Sequence, residues 1–208
     1  MYTKKQQEII DYARNKIISY MGESPVAGHD ANHAIRVADW AIKIAKKEKG
    51  NIFLCELGGL LHDVGRVLEY MDTDNGFKIR HHELSYEICQ DWFKNDEILS
   101  QLSKPEKLNL LYIIRYHWNN VADKYLEAII LRDADKMDLF GKIGIKRTEE
   151  FLNYDRKKIM LNMRFRADDM FWVRTNTARR FFEKHKMFEP ILKYIAKKLK
   201  EEIKPVEL

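Results

Sequence analysis

The sequence predicts an all-α protein, and three observations support this prediction. Apolar residues recur at a helical spacing near 3.6 through most of the chain. Glycine and proline, which interrupt helices and mark tight turns, number only 9 and 4 among 208 residues. No two segments of alternating apolar and polar residues flank a turn, so no β-hairpin is predicted. We therefore expect helix to account for more than about 60% of the residues, well above the usual third.

Helices are predicted wherever this spacing persists between break signals. Breaks at 22–30 and 66–79 are marked by proline, by glycine and by the loop sequence DTDNG, and the polar stretch 156–175 has no clear helical pattern. The predicted helices are 3–21, 31–48, 52–64, 81–95, 106–118, 123–139, 145–155 and 177–201. We divide the chain into a helical core, 1–150, and a basic, aromatic helical extension, 151–208, that packs on the core.

Composition narrows the class of protein. Cys55 and Cys89 lie in apolar helical segments without a CxxC motif, which indicates two reduced core thiols. No apolar run approaches the roughly 18 residues of a membrane span, and the first 16 residues lack the apolar centre of a secretory signal. We predict a cytoplasmic protein with no membrane contact.

The net charge of +5 is spread over scattered lysines and favours anionic small molecules such as nucleotides over nucleic acid.

Four polar residues stand where core side chains are expected. His33 lies in HDANHAIRVADWA, His62 and Asp63 close the apolar segment LCELGGLLHDVGR, and Asp135 lies in AIILRDADKMDLFG. An aspartate in a core costs several kcal/mol unless it is paired or bound to a metal. Two imidazoles and two carboxylates form a mixed nitrogen and oxygen set that suits Mn, Fe, Co, Ni, Zn or, less well, Mg. Such an ion polarises a phosphoryl group and lowers the pKa of a bound water.

The chain resembles the HD-domain superfamily of metal-dependent phosphohydrolases. The strings HDANHAIRVADWA, LLHDVGR and RDADKMDLFGKIGIKR carry the resemblance across residues 28–150. The last string is similar to the small prokaryotic HD hydrolases that include nucleotide pyrophosphohydrolases. The resemblance implies an HD-domain helical bundle around a central metal site. It also implies the metal ligands, which are His33, His62, Asp63 and Asp135.

Further histidines extend the resemblance. His81, in RHHELSYEI, occupies the place of a second-metal ligand in binuclear HD proteins, although Ser85 stands where their H-x-E-x-G pattern has glycine. His117, in IIRYHW, fits a second such ligand. Two interpretations stay open for this pair, a second metal ion or contacts to phosphate and water. His82 is the alternative to His81, because neighbouring helical residues point about 100° apart. The remaining histidines, 29 and 185, are predicted to lie on the surface.

Basic residues near these motifs would counter the charge of phosphate. The alternative for each is an ordinary solvated charge. The predicted catalytic residues are Asp63, Arg66 and Lys136. The predicted substrate-binding residues are Arg36, His81, His117, Lys142 and Arg147. Arg66 stands where some HD nucleotidases carry an acid, which argues against a nucleoside monophosphatase.

We predict hydrolysis of a phosphate ester or anhydride, with Asp63 orienting or deprotonating the attacking water. The favoured substrate is a nucleotide, for example a nucleoside triphosphate cleaved to monophosphate and pyrophosphate. The alternatives are a phosphodiesterase for a cyclic or signalling nucleotide, a non-catalytic nucleotide sensor and a nucleic-acid-binding protein. The segment RFRADDMFWVRTNTARRFF interleaves basic and aromatic residues, as in single-strand binders. We interpret it instead as a helix that packs on the core or on a second copy of the chain in a homodimer.

Overall fold

The computed structural model describes residues 2–22, 28–69 and 80–202, and 77% of them are helical with no strand among them. This confirms the all-α prediction. Two short 3-10 segments, Val64–Val67 and Leu99–Gln101, join longer helices. The ten α-helices of the described ranges are α1 (Lys4–Met21), α2 (Ala31–Glu48), α3 (Ile52–Leu61), α4 (His81–Asn95), α5 (Lys104–Tyr116), α6 (Leu126–Asp138), α7 (Gly141–Phe151), α8 (Arg156–Phe171), α9 (Asn176–Lys184) and α10 (Glu189–Glu202). Of the predicted breaks, residues 23–27 and 70–79 lie outside the described ranges.

Helix α3 is the centre of the fold, because nearly all its residues are apolar and buried and it contacts α1, α2, α5 and α6. Gly59 allows a close approach between α2 and α3, since a Cβ atom there would lie 2.6 Å from the Cα atom of Ala38. The end of α3 therefore lies deep in the molecule. His62 and Asp63 follow directly, so their side chains are held in the interior by the packing of α3.

A second apolar cluster joins α2 and α6 to the C-terminal helices, through residues that include Ile159 of α8 and Ile191 of α10. A buried carboxylate reinforces this contact. Asp133 of α6 accepts hydrogen bonds from the backbone N–H groups of Arg174 and Thr175 and from the Thr175 hydroxyl, at 2.7–3.2 Å. The Thr175 hydroxyl in turn caps α9 by accepting from the Ala178 N–H. Asp133 thus ties the start of α9 to the core.

The C-terminal part differs from the sequence prediction in two places. The stretch 156–175 contains helix α8, whose buried residues follow a helical spacing at Ile159, Met163 and Arg166. Because Arg166 is charged, it interrupts the apolar spacing from which a helix is predicted. The predicted helix 177–201 is two helices, α9 and α10, separated by a turn in which Lys186 has a φ of 47°. Other helix ends differ from the prediction by a few residues.

Two further predictions can be compared with the structure. Cys55 and Cys89 are buried free thiols, as predicted. Among the described helices, none combines the length and the apolar character that a membrane crossing requires.

Candidate metal centre

The four residues predicted as metal ligands converge where the first turn of α2, the end of α3 and the last turn of α6 meet. His33 Nε2 lies 3.4 Å from Asp135 Oδ1 and 3.7 Å from Asp63 Oδ2. His62 Nε2 lies 3.8 Å from Asp63 Oδ2 and 3.9 Å from Asp135 Oδ1. Ligand atoms about 2.1 Å from an octahedral ion are separated by about 3.0 Å when adjacent and about 4.2 Å when opposite. The observed separations fall within that range.

The backbone and a neighbouring carboxylate fix the orientation of each imidazole. His62 Nδ1 lies 2.8 Å from the Gly59 carbonyl oxygen. A carbonyl oxygen only accepts, so Nδ1 donates and Nε2 presents its lone pair to the cluster. His33 Nδ1 lies 2.8 Å from Asp138 Oδ2, which holds its ring in the same way. Such outer contacts are typical of histidines that bind metals.

Unsatisfied polar atoms indicate that a cation fits this cluster. His62 Nε2, which faces the cluster, and Asp63 Oδ1, the carboxylate oxygen turned away from it, are buried and have no hydrogen-bond partner among the described residues. A buried polar atom without a partner is costly and rare in folded proteins. A divalent cation would use these lone pairs, and the donor set of imidazole nitrogen and carboxylate oxygen suits a transition metal.

A second donor group shares Asp63. His81 Nε2 lies 3.5 Å and His117 Nε2 lies 3.6 Å from Asp63 Oδ1, and the two nitrogens are 3.2 Å apart. His117 Nδ1 donates to the Ile114 carbonyl oxygen at 2.7 Å, so its Nε2 is also presented as a lone pair. Donor atoms of these three residues all lie within 4.8 Å of one another, and His82 is not part of the group. Each carboxylate oxygen of Asp63 therefore faces a different pair of histidines.

Ser85, which replaces the glycine of the binuclear pattern, supports the turn after α3. Its hydroxyl accepts a hydrogen bond from the Gly65 N–H at 2.8 Å. Gly65 allows this approach, because a Cβ atom there would lie 2.3 Å from the His81 carbonyl oxygen. Glycine at 65 and a small residue at 85 thus bring His81 close to Asp63.

The electrostatic environment keeps the donors in the protonation state that binds a metal. Burial would raise the pKa of Asp63, but the charge of Arg66 opposes burial and the net pKa lies well below its usual range. Burial lowers the pKa of His33, and it lowers the pKa of His117 to about 3. At neutral pH the carboxylate is therefore ionised and both imidazoles are neutral.

The structure separates the predicted basic residues into groups. The Arg66 guanidinium lies directly beside the donors, with Nε 3.4 Å from Asp63 Oδ2 and Nη1 2.8 Å from Glu69 Oε2. Arg36 and Arg147 instead bind the carboxylate of Asp138, at 2.6–3.0 Å, and so reach the donors through the residue that orients His33.

Two lysines have other surroundings. The Lys136 ammonium donates to Asn120 Oδ1 at 2.8 Å. Lys142 is exposed at the mouth of a cavity of about 450 Å³ that Arg36 and Trp40 also line.

Sequence reasoning missed three residues of the centre. Asp138 lies one helical turn after Asp135, and this spacing was the available signal. Glu69 Oε1 lies 3.6 Å from His81 Nδ1, and this contact lowers the pKa of Glu69 to about 2. His29, predicted at the surface, is half-buried, and its ring centre lies 5.7 Å from that of His33. That prediction was wrong because Phe151, far along the chain, covers the His29 ring at 5.0 Å. The other predicted surface histidine, at position 185, is exposed.

Comparison with known proteins agrees with this geometry. Residues 30–139, more than half of the chain, match the HD domain model. The chain belongs to the HD domain family. This confirms the resemblance found in the sequence, and at a general level family membership supports a metal-dependent hydrolase. The matched residues include all four predicted ligands, the outer carboxylate of Asp138 and both histidines of the second group.

Relatives of this HD domain protein are of low identity. Uncharacterized protein L803 of Acanthamoeba polyphaga mimivirus is 26% identical over 71% of this chain, and uncharacterized protein YpgQ of Bacillus subtilis is 30% identical over 60% of it. The chain spans 63% and 58% of the lengths of these two relatives. Among solved structures, Bacillus subtilis YpgQ in complex with ADP superposes with a TM-score of 0.69 at 22% identity, covering 98% of this chain and all of that chain. A predicted HD superfamily hydrolase from an uncultured Thermotogales bacterium superposes with a TM-score of 0.61 at 24% identity, covering 94% of this chain and 91% of that one. These structural matches show the fold.

Proposed function

We propose that this protein is a metal-dependent phosphohydrolase whose substrate is a nucleotide. The observation that carries the proposal is the position of the Asp63 carboxylate, which lies between two pairs of histidines. His33, His62, Asp63 and Asp135 would hold the first divalent ion. When bound, the ion would polarise a phosphoryl group and lower the pKa of a water molecule.

The residues around the ion have distinct tasks in this proposal. Asp63 orients the attacking water, because its second oxygen is buried and has no hydrogen-bond partner among the described residues. Arg66, 3.4 Å from Asp63, stabilises negative charge that develops on the phosphoryl oxygens. Asp138 positions His33 and links it to Arg36 and Arg147.

The second donor group extends the proposal to a second ion. Asp63, His81 and His117 supply three donors and would hold a second divalent ion, which would help to stabilise charge on the transferring phosphoryl group. The alternative is that the two histidines contact phosphate and water directly. Metal content decides between these cases. Two ions per chain in the wild type and one in His117→Ala support a second ion, whereas one ion in both supports direct contacts.

The proposed reaction is cleavage of a nucleoside triphosphate to monophosphate and pyrophosphate. Two observations support a nucleotide substrate. The sequence RDADKMDLFGKIGIKR is similar to a subgroup of HD hydrolases that includes nucleotide pyrophosphohydrolases. The YpgQ structure, which shares the fold across almost the whole chain, is a complex with ADP.

The two buried free thiols also support a cytoplasmic location.

A panel of phosphorylated compounds tests the proposal. Nucleoside triphosphates, monophosphates and cyclic nucleotides are each incubated with Mn, Co, Ni, Zn or Mg and with wild type, Asp63→Ala or Asp11→Ala. Asp11 is exposed on α1 and is the matched control. We expect wild type and Asp11→Ala to release pyrophosphate equally, and Asp63→Ala to lose at least about 10²-fold in rate.

Other results of this panel, taken with assays of metal content and of DNA or RNA binding, would replace the proposal. Turnover confined to cyclic nucleotides would make the protein a phosphodiesterase. Metal binding without turnover of any compound would make it a nucleotide sensor. Salt-dependent binding to DNA or RNA without turnover would favour a nucleic-acid-binding protein.

A further inference from the structure

A small cavity lies beside the metal centre, and helix α8 forms part of its wall. Its volume is about 200 Å³. The lining residues are His29, Arg66, Leu139, Arg147, Thr148, Phe151, Asn162 and Arg166. Cavities that hold a whole small-molecule ligand measure about 300–1,000 Å³. This one is therefore too small for a nucleotide but has room for a compact group.

The polar part of the lining is cationic. Three guanidinium groups line the cavity, from Arg66, Arg147 and Arg166, and no carboxylate is among the described lining residues. Arg147 and Arg166 are each only 8% exposed. Burial lowers the pKa of both side chains, so holding these charges in the interior is unfavourable without an anion. Neighbouring carboxylates on other sides of the guanidinium groups, including Asp138 and Asp169, neutralise part of this charge.

A hydrogen-bond donor of one lining residue has no partner within the described part of the protein. Arg166 donates to the Thr148 hydroxyl at 3.1 Å and lies 3.2 Å from Asp169. Its Nε atom, a hydrogen-bond donor, is nevertheless buried and has no partner among the described residues. An unpaired donor on a buried arginine in a cavity wall indicates that the cavity receives an acceptor.

The cavity adjoins the donor cluster. Arg66 contacts Asp63, and Arg147 donates to Asp138, which also contacts the His33 ring. His29, another lining residue, packs its ring against His33 as well. A phosphate group in the cavity would therefore lie next to a phosphate group held at the metal centre.

We propose that this cavity binds a phosphate group, with Arg166 as its principal recognition residue and Arg66 and Arg147 as the other cationic contacts. The ligand chemistry is a tetrahedral phosphoryl anion, either a further phosphate of the substrate or free phosphate or pyrophosphate. In this arrangement helix α8, which carries none of the four proposed metal ligands, supplies the binding residue Arg166. The assignment to the substrate rests on the proposed function, whereas the anion site itself does not.

Titration of metal-free protein tests the anion site without any turnover. Inorganic pyrophosphate is titrated calorimetrically into protein held in a chelator, where the two carboxylates of the metal cluster repel anions. The variants are Arg166→Gln and the matched control Arg164→Gln, an exposed arginine on the same helix. We expect wild type and Arg164→Gln to bind pyrophosphate alike and Arg166→Gln to bind it at least about tenfold more weakly, or about 1.4 kcal/mol.

A second variant keeps the test decisive if Arg166→Gln does not fold. Asn162→Asp places a like charge against the anion and should also abolish binding, while circular dichroism confirms the fold. Equal binding by wild type and by a folded cavity variant would overturn the proposal, and so would the absence of pyrophosphate binding by wild type.

Steady-state kinetics distinguish the two sources of phosphate. If the cavity holds a further phosphate of the substrate, Arg166→Gln raises KM for a nucleoside triphosphate by at least about tenfold with metal content unchanged. If it holds a free anion, KM is unchanged while pyrophosphate binding is still lost. If the wild type binds pyrophosphate through Arg166 but hydrolyses no compound, the anion site stands and the proposed hydrolase function fails.

Discussion

Replacement of Asp138 by alanine should destabilise the protein and weaken metal binding together. The Asp138 carboxylate is 4% exposed and holds His33 on one side and Arg36 and Arg147 on the other. Burial alone would raise the pKa of Asp138, but hydrogen bonds from His33 and Arg36 outweigh it and lower the pKa from 3.8 to about 2. The ionised carboxylate is thus stabilised in the folded state by about 2.5 kcal/mol.

The expected loss in Asp138→Ala follows from what the substitution leaves behind. Arg147 is 8% exposed and would become an unpaired buried charge, a change that typically costs about 3–5 kcal/mol. Arg36 is partly exposed and can be resolvated, so it adds little. We expect the free energy of unfolding to fall by about 3–4 kcal/mol. His33 loses the partner that orients its ring, and metal affinity should fall about 10–100-fold.

Urea unfolding in a chelator measures the first effect, and calorimetric titration of Mn²⁺ into folded protein measures the second. Asp39→Ala is the control, because Asp39 is exposed and lies 3.4 Å from Arg14 at the surface. Its loss should be at most about 1 kcal/mol, with metal affinity unchanged. If Asp138→Ala behaves like Asp39→Ala in both measurements, the reasoning about the orienting carboxylate is refuted.

Three further predictions concern stability. Asp133→Ala should lower the free energy of unfolding by about 2–4 kcal/mol, because the Thr175 N–H and hydroxyl both lose their acceptor on Asp133, and limited proteolysis should cleave near 174 sooner. Burial opposes ionisation of Asp96, but hydrogen bonds from Leu99 N–H and Tyr12 lower its pKa, so its contribution is present above pH 3.8 and is lost as pH falls below it. Urea titrations at pH 6 and pH 3 should therefore show a smaller pH dependence in Asp96→Asn than in wild type. Removal of metal should lower Tm, and added Mn²⁺ should restore it in proportion to the logarithm of its concentration.

Each of these has a result that contradicts it. If protease cleaves Asp133→Ala near 174 no faster than it cleaves wild type, the Asp133 carboxylate does not hold the start of α9. An identical pH dependence in Asp96→Asn would show that the Asp96 contacts contribute no ionisation-linked stability. A Tm unaffected by chelator and by Mn²⁺ would indicate that the donor cluster does not bind metal in the folded state.

The cluster of four donor residues was predictable because these residues violate a strong pattern. His33, His62, Asp63 and Asp135 interrupt apolar helical segments, and burial of such groups needs a common partner. Most helices were predictable for a related reason, since an amphipathic spacing records which face meets the core.

The remaining features depend on contacts between distant segments. His29 looks like a surface residue until Phe151 covers it. Arg166 occupies an apolar position of α8 and so hides that helix from a periodicity search, although its charge has a use only beside Arg66 and Arg147. The sequence therefore predicts the cluster of metal-donor side chains better than it predicts the cavity beside it.

Anomalous diffraction from crystals grown with Mn²⁺, measured on both sides of the manganese absorption edge, tests the central claim most directly. We predict a manganese peak about 2.0–2.3 Å from His33 Nε2, His62 Nε2 and carboxylate oxygens of Asp63 and Asp135, which Asp63→Ala should abolish. An ordered cluster without a peak in saturating Mn²⁺, or a peak that these side chains do not contact, would contradict the account.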